Sequence, residues 1–307
     1  MSSLSEAFTY VSLFAGCGGS SLGYKMAGGR CLCAVEFDAN AAAMYRLNFP
    51  GVPVIERDVR EVSAEEVMEV AGLVPGQLDV LDGSPPCQGF STAGKRQFGD
   101  PRNSLFREYV RLLEALQPRA FVMENVSGLV KGKMKLAFRT IMESLKATGY
   151  TVRCKLLNAM WFGVPQSRER LIWLGVRPDV GREVEWPKAE AAIPLKAVVP
   201  SSSSIANSSF RPAWRSSDLP SATIMAGGPG KQSGIIRTLD GGERPMIEAE
   251  AKRTCSFPDD FRLQGTFADR WRVLGNSVPP QFMRRIAEAL RDSVILPSRQ
   301  TEEAQSA

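Results

Sequence analysis

One thiol stands apart from the other five in its setting. Asp82-Gly83-Ser84-Pro85-Pro86-Cys87-Gln88-Gly89-Phe90-Ser91 puts a cysteine behind two prolines, which fix φ and hold it on a stiff lead, and ahead of glycines that free the following loop to move. A thiolate placed this way is a nucleophile. The 307 residues include no histidine, so the commonest base for such a thiol is missing and Cys87 must be activated by other groups. A carboxylate that could act beside it is Glu124, in Phe121-Val122-Met123-Glu124-Asn125-Val126. A third constellation is the glycine loop Phe14-Ala15-Gly16-Cys17-Gly18-Gly19, with Glu36 twenty residues beyond Gly16 and Asp58 further on. Bare backbone at a helix start suits a nucleotide-type ligand, a carboxylate at the next strand end suits a ribose diol, and Asp58 could take the exocyclic amine of an adenine. The loop departs from G-x-G-x-x-G, since Ser20 and Ser21 follow Gly19. This disfavours a dinucleotide but leaves NAD and S-adenosylmethionine both open.

These groups need elements to carry them. Between Thr9 and Val176 short apolar runs alternate with helix-patterned stretches, the pattern of a mostly parallel, doubly wound α/β sheet. Strands are predicted at Tyr10–Phe14, Arg30–Glu36, Val52–Arg57, Leu78–Leu81, Ala120–Met123, Thr151–Leu157 and Leu171–Val176, with helices at Ser104–Gln117 and Lys133–Thr148 among others. In such a sheet the fourth and fifth strands are neighbours about 5 Å apart, so Cys87 and Glu124 face one cleft beyond the strand ends, where the Gly16 loop also opens. After Val176 the chain turns Pro-, Ser- and Gly-rich, with Ser201–Ser204 and Gly227-Gly228-Pro229-Gly230, which predicts a smaller, irregular domain. The division expected is 1–177 for the catalytic and cofactor domain and 178–243 for the second domain. Residues 244–295 then return to the first domain, with helices at Ile247–Cys255 and Pro279–Asp292, and 296–307 form a polar, disordered tail.

Composition narrows the classes. The chain is 44% hydrophobic and 23% charged with a net charge of +5, ordinary for a globular enzyme and compatible with nucleic acid. The six cysteines, at 17, 31, 33, 87, 154 and 255, lack paired metal-ligand spacing, and the expectation is free thiols and no metal. Met1–Tyr10 lacks a basic stretch followed by an apolar one, and the location expected is the cytoplasm.

In order along the chain, Phe14–Gly19, Glu36, Asp58, Pro85-Pro86-Cys87-Gln88, Glu124-Asn125-Val126, Gln166-Ser167-Arg168-Glu169-Arg170 and Gly275-Asn276-Ser277-Val278 together resemble the DNA cytosine-5 methyltransferase family of bacterial restriction-modification systems. The match runs from about residue 9 to 291, omitting only the middle of the second domain. One departure is Ser256 in Arg253-Thr254-Cys255-Ser256-Phe257-Pro258, where the family often has glycine. The resemblance implies an S-adenosylmethionine-dependent, Rossmann-like fold and a target-recognition role for the second domain. It also implies a monomer acting on double-stranded DNA, with a cognate restriction endonuclease acting separately. Cys87 would add to C6 of a flipped-out cytosine to activate C5, and Glu124 would engage N3 and the exocyclic amine. Arg168 would contact the base O2, and Arg170, with Gln166, would position the catalytic groups. The cofactor would lie on Phe14, Ala15, Gly16, Cys17, Gly18, Gly19, Glu36, Phe37, Asp58, Val59, Ser84, Pro86, Leu105, Asn276 and Ser277. DNA would meet Gln88, Ser91, Lys95 and Arg96 near the nucleophile. An RNA-directed relative would carry a Cys-Phe-Thr segment, which this chain lacks. A dehydrogenase has nothing here beyond the glycine loop, and a catalytically dead regulator is disfavoured by the presence of Cys87, Glu124 and Arg168.

Charge placement in the second domain points the same way. Residues 178–243 hold seven basic and seven acidic side chains, yet between Lys196 and Arg237 five basic groups (Lys196, Arg211, Arg215, Lys231 and Arg237) face Asp218 alone. A local cationic excess beside Trp214 and flexible Ser and Gly suits phosphate contacts around base-reading side chains, which makes Arg211, Arg215, Lys231 and Arg237 candidate DNA contacts.

Overall fold

The fold is taken from a computed structural model, which describes residues 8–86, 105–206, 213–228 and 234–306. Its centre is a seven-stranded sheet built from β1 (Phe8–Leu13), β2 (Gly29–Val35), β3 (Val54–Ile55), β4 (Val80–Gly83), β5 (Ala120–Val126), β6 (Thr151–Asn158) and β7 (Glu169–Val176). The order is β3-β2-β1-β4-β5-β7-β6, parallel throughout except for β7, which runs antiparallel to both its neighbours. Each predicted strand is present within a few residues of its expected ends.

Alternation along the strands explains why both faces are covered. Phe121 and Met123 of β5 and Leu171 and Trp173 of β7 point to one side, Ala120, Val122, Ile172 and Leu174 to the other, and all are buried. The first side packs against α3 (Ala64–Ala71), α4 (Leu105–Leu116) and α5 (Lys135–Ala147) through Val67, Leu112, Leu113, Leu116, Ile141 and Leu145. The second packs against Tyr24 of α1 (Gly19–Met26) and against Phe282, Met283, Ile286 and Leu290 of α8 (Pro280–Leu290). Close approach of α1 and α8 depends on Gly23, where a Cβ would lie 2.6 Å from the Pro280 carbonyl oxygen and 2.7 Å from the Arg284 nitrogen.

Two expectations are corrected. The second domain is less irregular than its composition suggests, for it contains an antiparallel sheet ordered β11-β10-β8-β9, from β8 (Ser202–Ala206), β9 (Trp214–Ser216), β10 (Ile235–Thr238) and β11 (Glu243–Pro245). Serine obscures the strand signal. Here the hydroxyls are absorbed locally, with Ser203 Oγ donating to the Arg237 carbonyl (3.1 Å) and Ser217 Oγ to that of Ser202 (2.7 Å). Ile205, Ile224 and Ile236 join a core with Met44 and Tyr45 of α2 (Ala39–Asn48), Ala251 of α6 (Glu248–Thr254) and Trp271 of α7 (Phe267–Asn276).

The polar tail is not disordered over its described length: Leu296–Ser306 forms α9, continuous with α8 through a single wide turn at Arg291–Ile295. Its charges have partners that composition cannot reveal. Arg299 pairs with the buried Asp79 and Glu302 with Arg119. No described helix is long and apolar enough to cross a membrane.

Candidate active site

The strand ends of β1, β2, β4, β5 and the start of β7 converge on one edge of the sheet. β1 is followed by Phe14, in the left-handed region at φ 56°, and the chain turns through Ala15, whose nitrogen bonds the Val35 carbonyl of β2 and whose carbonyl accepts from Gly18. Glu36 follows β2 and closes on this loop, accepting from the Gly16 nitrogen at 2.6 Å and the Asp38 nitrogen at 2.8 Å. Burial raises its carboxyl above the usual range, and those backbone bonds oppose the rise. Gly16 has φ +57°, and a Cβ there would meet nothing within 4 Å, so the space before the loop is open. Phe37, beside Glu36, is 72% exposed, an aromatic face left uncovered next to an acceptor carboxylate. Asp58 caps a short turn at Val59–Glu61, and the Arg60 guanidinium holds its carboxyl below the ordinary value, while Val59 itself is buried in the core.

The C-terminal segment returns to the same place. Ser277 Oγ lies 3.3 Å from Cys17 Sγ, a Cβ on Gly19 would lie 2.4 Å from the Val278 carbonyl oxygen, and Asn276 is exposed at the end of α7. Burial pushes the Cys17 thiol up to about 11, leaving it a packing group and not a nucleophile. Ser256 sits at φ 62°, the conformation that favours glycine, which accounts for the residue usual in its position.

The acid–base half of the site is built at β4 and β5. Their register sets Gly83 beside Met123, bringing the Ser84–Pro86 lead level with Glu124. The Asn125 side-chain amide donates to the Pro85 carbonyl at 3.0 Å and ties that lead to β5. Sequence reading placed Asn125 in a motif without giving it this task. Tyr109 of α4 donates to the carbonyls of Leu81 (3.0 Å) and Val122 (3.1 Å), clamping the two strands just below, while Leu105 opens α4 half-buried. Cys87, Gln88, Ser91, Lys95 and Arg96 lie outside the described residues, as do Arg211 and Lys231.

Glu124 is buried, and its Oε1 meets Arg170 Nε at 2.6 Å. The sheet dictates that pairing: Glu124 lies opposite Ile172, so Arg170 is its diagonal neighbour on the same face. Burial lowers the Arg170 pKa, with the Glu124 charge opposing the drop. Arg168 is occupied differently. Its Nη1 and Nη2 donate to the carbonyls of Ile224 (3.2 Å) and Gly275 (2.9 Å), fastening the start of β7 to the second lobe and to the end of α7. Burial, then the neighbouring Arg170 charge, push its pKa down to about 9. Gln166 completes the fastening: its Oε1 accepts from the Ile224 nitrogen at 3.1 Å and its Nε2 donates to the Thr254 carbonyl at 3.3 Å. Thus Arg168, expected at the base O2, is tied into the joint behind the cleft, and Arg170, expected to position the catalytic groups, is the arginine that meets Glu124.

In the second sheet, the Arg237 guanidinium stacks 4.1 Å over the Trp214 ring and pairs with Glu243 at 2.7 Å, with half-buried Arg215 next to Trp214 on β9, across β8 from Arg237.

Comparison with known proteins fits this geometry. A family model described as C-5 cytosine-specific DNA methylase matches residues 8–211 and 200–292. The chain is 34% identical to Type II methyltransferase M1.HphI of Haemophilus parahaemolyticus, over 92% of this chain and 87% of that protein. It is 30% identical to Type II methyltransferase M.NgoPII of Neisseria gonorrhoeae, over 92% and 95%. Among solved structures, a putative DNA modification methyltransferase encoded within an E. coli prophage aligns with a TM-score of 0.73 at 24% identity, over 94% and 99% of the two chains. The Entamoeba histolytica methyltransferase EhMeth gives 0.72 at 18%, over 93% and 98%. At such identities these two structures share the fold alone.

Proposed function

Because the chain belongs to the C-5 cytosine-specific DNA methylase family, we propose that it methylates C5 of cytosine at a specific site in double-stranded DNA, using S-adenosylmethionine, within a restriction-modification system. The observation that carries this reading to the level of residues is the Glu124–Arg170 pair, set beside a proline lead that Asn125 holds at Pro85, two residues before Cys87.

C5 of cytosine is a poor nucleophile until a thiolate adds to C6, and neither atom can be reached inside a duplex, so the base must be flipped into the cleft. Cys87 is the group assigned to that addition. Glu124 engages N3 and the exocyclic amine and stabilises the charge that develops on the ring as the thiol adds. Arg170 shares the cleft with Glu124, so it, and not Arg168, is the arginine assigned to O2. Once C5 carries the methyl group, loss of the C5 proton and expulsion of the Cys87 thiolate restore the aromatic ring.

The residues around the glycine loop suit S-adenosylmethionine. Glu36 offers its carboxylate to a ribose diol, Phe37 offers a face to an adenine, Asp58 lies at the next strand end, and Cys17 and Ser277 close the loop from behind. When bound, S-adenosylmethionine supplies a methyl group on a positively charged sulfur, which makes it electrophilic.

Base-resolution mapping of 5-methylcytosine in mixed DNA treated with the protein and S-adenosylmethionine tests the function. One modified cytosine in a recurring sequence is the expected result; unmodified DNA, or methyl groups on adenine, would overturn it. A duplex containing 5-fluorocytosine should trap the protein covalently, since the adduct cannot shed fluorine as it sheds a proton.

A further inference from the structure

The Asp82 carboxylate is fully buried in β4, five residues before Cys87, and has no part in the chemistry above. Its Oδ2 accepts from Ser20 Oγ at 2.8 Å and from Ser12 Oγ at 3.1 Å, while Oδ1 has no partner at hydrogen-bond distance and is influenced only at longer range by the Tyr24 hydroxyl, itself without a close partner. Ser12 lies in β1 two residues before Phe14, and Ser20 lies in the first turn of α1 directly after Gly19. One carboxylate therefore joins both arms of the glycine loop to the strand that leads into the nucleophile segment. The titratable groups around it are Tyr24 of α1, Tyr109 of α4, whose hydroxyl is engaged by the Leu81 and Val122 carbonyls, Glu124 of β5 and, further off, Tyr10 of β1, Cys31 of β2 and Tyr45 of α2.

We propose that Asp82 is a positioning residue for methyl transfer: by holding Ser12 and Ser20 it keeps the glycine loop, and the S-adenosylmethionine on it, in register with the segment that bears Cys87. This rests on the cofactor reading given above.

Fold stability alone would not put this side chain here. A buried acceptor without a partner is unfavourable. Burial raises the carboxyl to about 7; the Ser20, Ser12 and Tyr24 hydroxyls oppose the rise and the Glu124 charge adds to it. For a group whose folded pKa lies above the ordinary 3.8, the favourable contribution is fully present below the ordinary value and lost as pH rises through about 7. Above neutrality the ionised Asp82 thus works against the fold. Asp82→Asn keeps the shape and removes that penalty, but it takes away the charge that strengthens the bonds from Ser12 and Ser20 and turns one carboxylate oxygen into an amide donor.

Asp82→Asn and Ser20→Ala can be compared with the wild type by calorimetric titration of S-adenosylhomocysteine, by thermal unfolding at pH 6 and pH 8.5, and by methyl-transfer kinetics. Asp82→Asn is expected to gain stability relative to wild type at the higher pH, yet to bind S-adenosylhomocysteine about tenfold more weakly and to raise KM for the methyl donor more than it lowers kcat. Ser20→Ala is expected to weaken binding in the same direction, with little further loss in the double variant. Wild-type affinity in both variants would overturn the proposal, as would weak binding that merely follows loss of stability at both pH values. Failure of the wild type itself to bind would overturn the cofactor reading and this inference together, whereas loss of the effect in the variants alone overturns only the inference.

Discussion

The cleft at the strand ends and the second sheet both carry arginine–carboxylate pairs, but they place them in different media. Arg170 and Glu124 have side-chain exposures of 13% and 9%, whereas Arg237 and Glu243 have 39% and 50%, and Lys196 and Asp218 have 58% and 69%. In the cleft the charges are shielded from water and salt, so each partner strongly depends on the other. On the second sheet water and ions already screen the pairs, and each cation can leave its carboxylate for a phosphate at small loss. The first arrangement suits chemistry, where a charge must be held in one place, and the second suits recognition, where contacts must be exchanged with solvent.

That contrast can be tested from the most damaging change downward. Cys87→Ser is expected to abolish methyl transfer while S-adenosylhomocysteine binding stays close to wild type, because the thiol acts on the base and not on the methyl donor. A variant turning over at near wild-type rate would remove Cys87 from the mechanism.

Arg170→Ala leaves Glu124 buried without its cation, at a cost of about 3–5 kcal/mol in stability, together with a large loss of kcat. Denaturant titration and single-turnover kinetics measure the two losses. If stability fell by less than about 1 kcal/mol, the pair would behave like a surface bridge and the contrast between regions would fail.

Arg215→Gln is expected to weaken DNA binding by roughly tenfold and to reduce the salt slope by about one, with S-adenosylhomocysteine affinity unchanged. Arg237→Gln acts in the same direction but less, since Glu243 already offsets part of that charge. Filter binding across a salt series would detect both, and a parallel fall in cofactor affinity would show that the second sheet is not a separate reading surface. Smallest of all, Lys196→Gln is expected to leave the unfolding temperature unchanged within error, as both Lys196 and its partner Asp218 are largely exposed to solvent.

How far these regions could be read from the chain differs for the same reason. The inner strands of the large sheet were legible because they are buried on both faces and appear as apolar runs, as in Ala120–Met123. The strands of the second sheet span three to five residues each and include Ser202, Ser203 and Ser204, of which Ser202 bonds the Val199 carbonyl and Ser203 the Arg237 carbonyl, distant in sequence. Such a strand has no apolar signature to read. Helix α9 escaped notice on similar grounds, because ion pairs with Asp79 and Arg119 hold it and its composition resembles a solvated tail.

Residue types and their order were enough to set the chemistry: a thiol behind two prolines, a strand-end Glu124, a glycine loop with Glu36, and no histidine to serve as base. Those features are local, since backbone stiffness and ionisable groups belong to the residues themselves. Only the tertiary structure decided which arginine meets Glu124, and that Gln166 and Arg168 join β7 to the second lobe. It alone, too, placed the buried Asp82 between the glycine loop and the nucleophile strand. Arg168 and Arg170 lie two residues apart in the chain, and only strand register and the carbonyls that pack around them separate one into the cleft and the other into the joint.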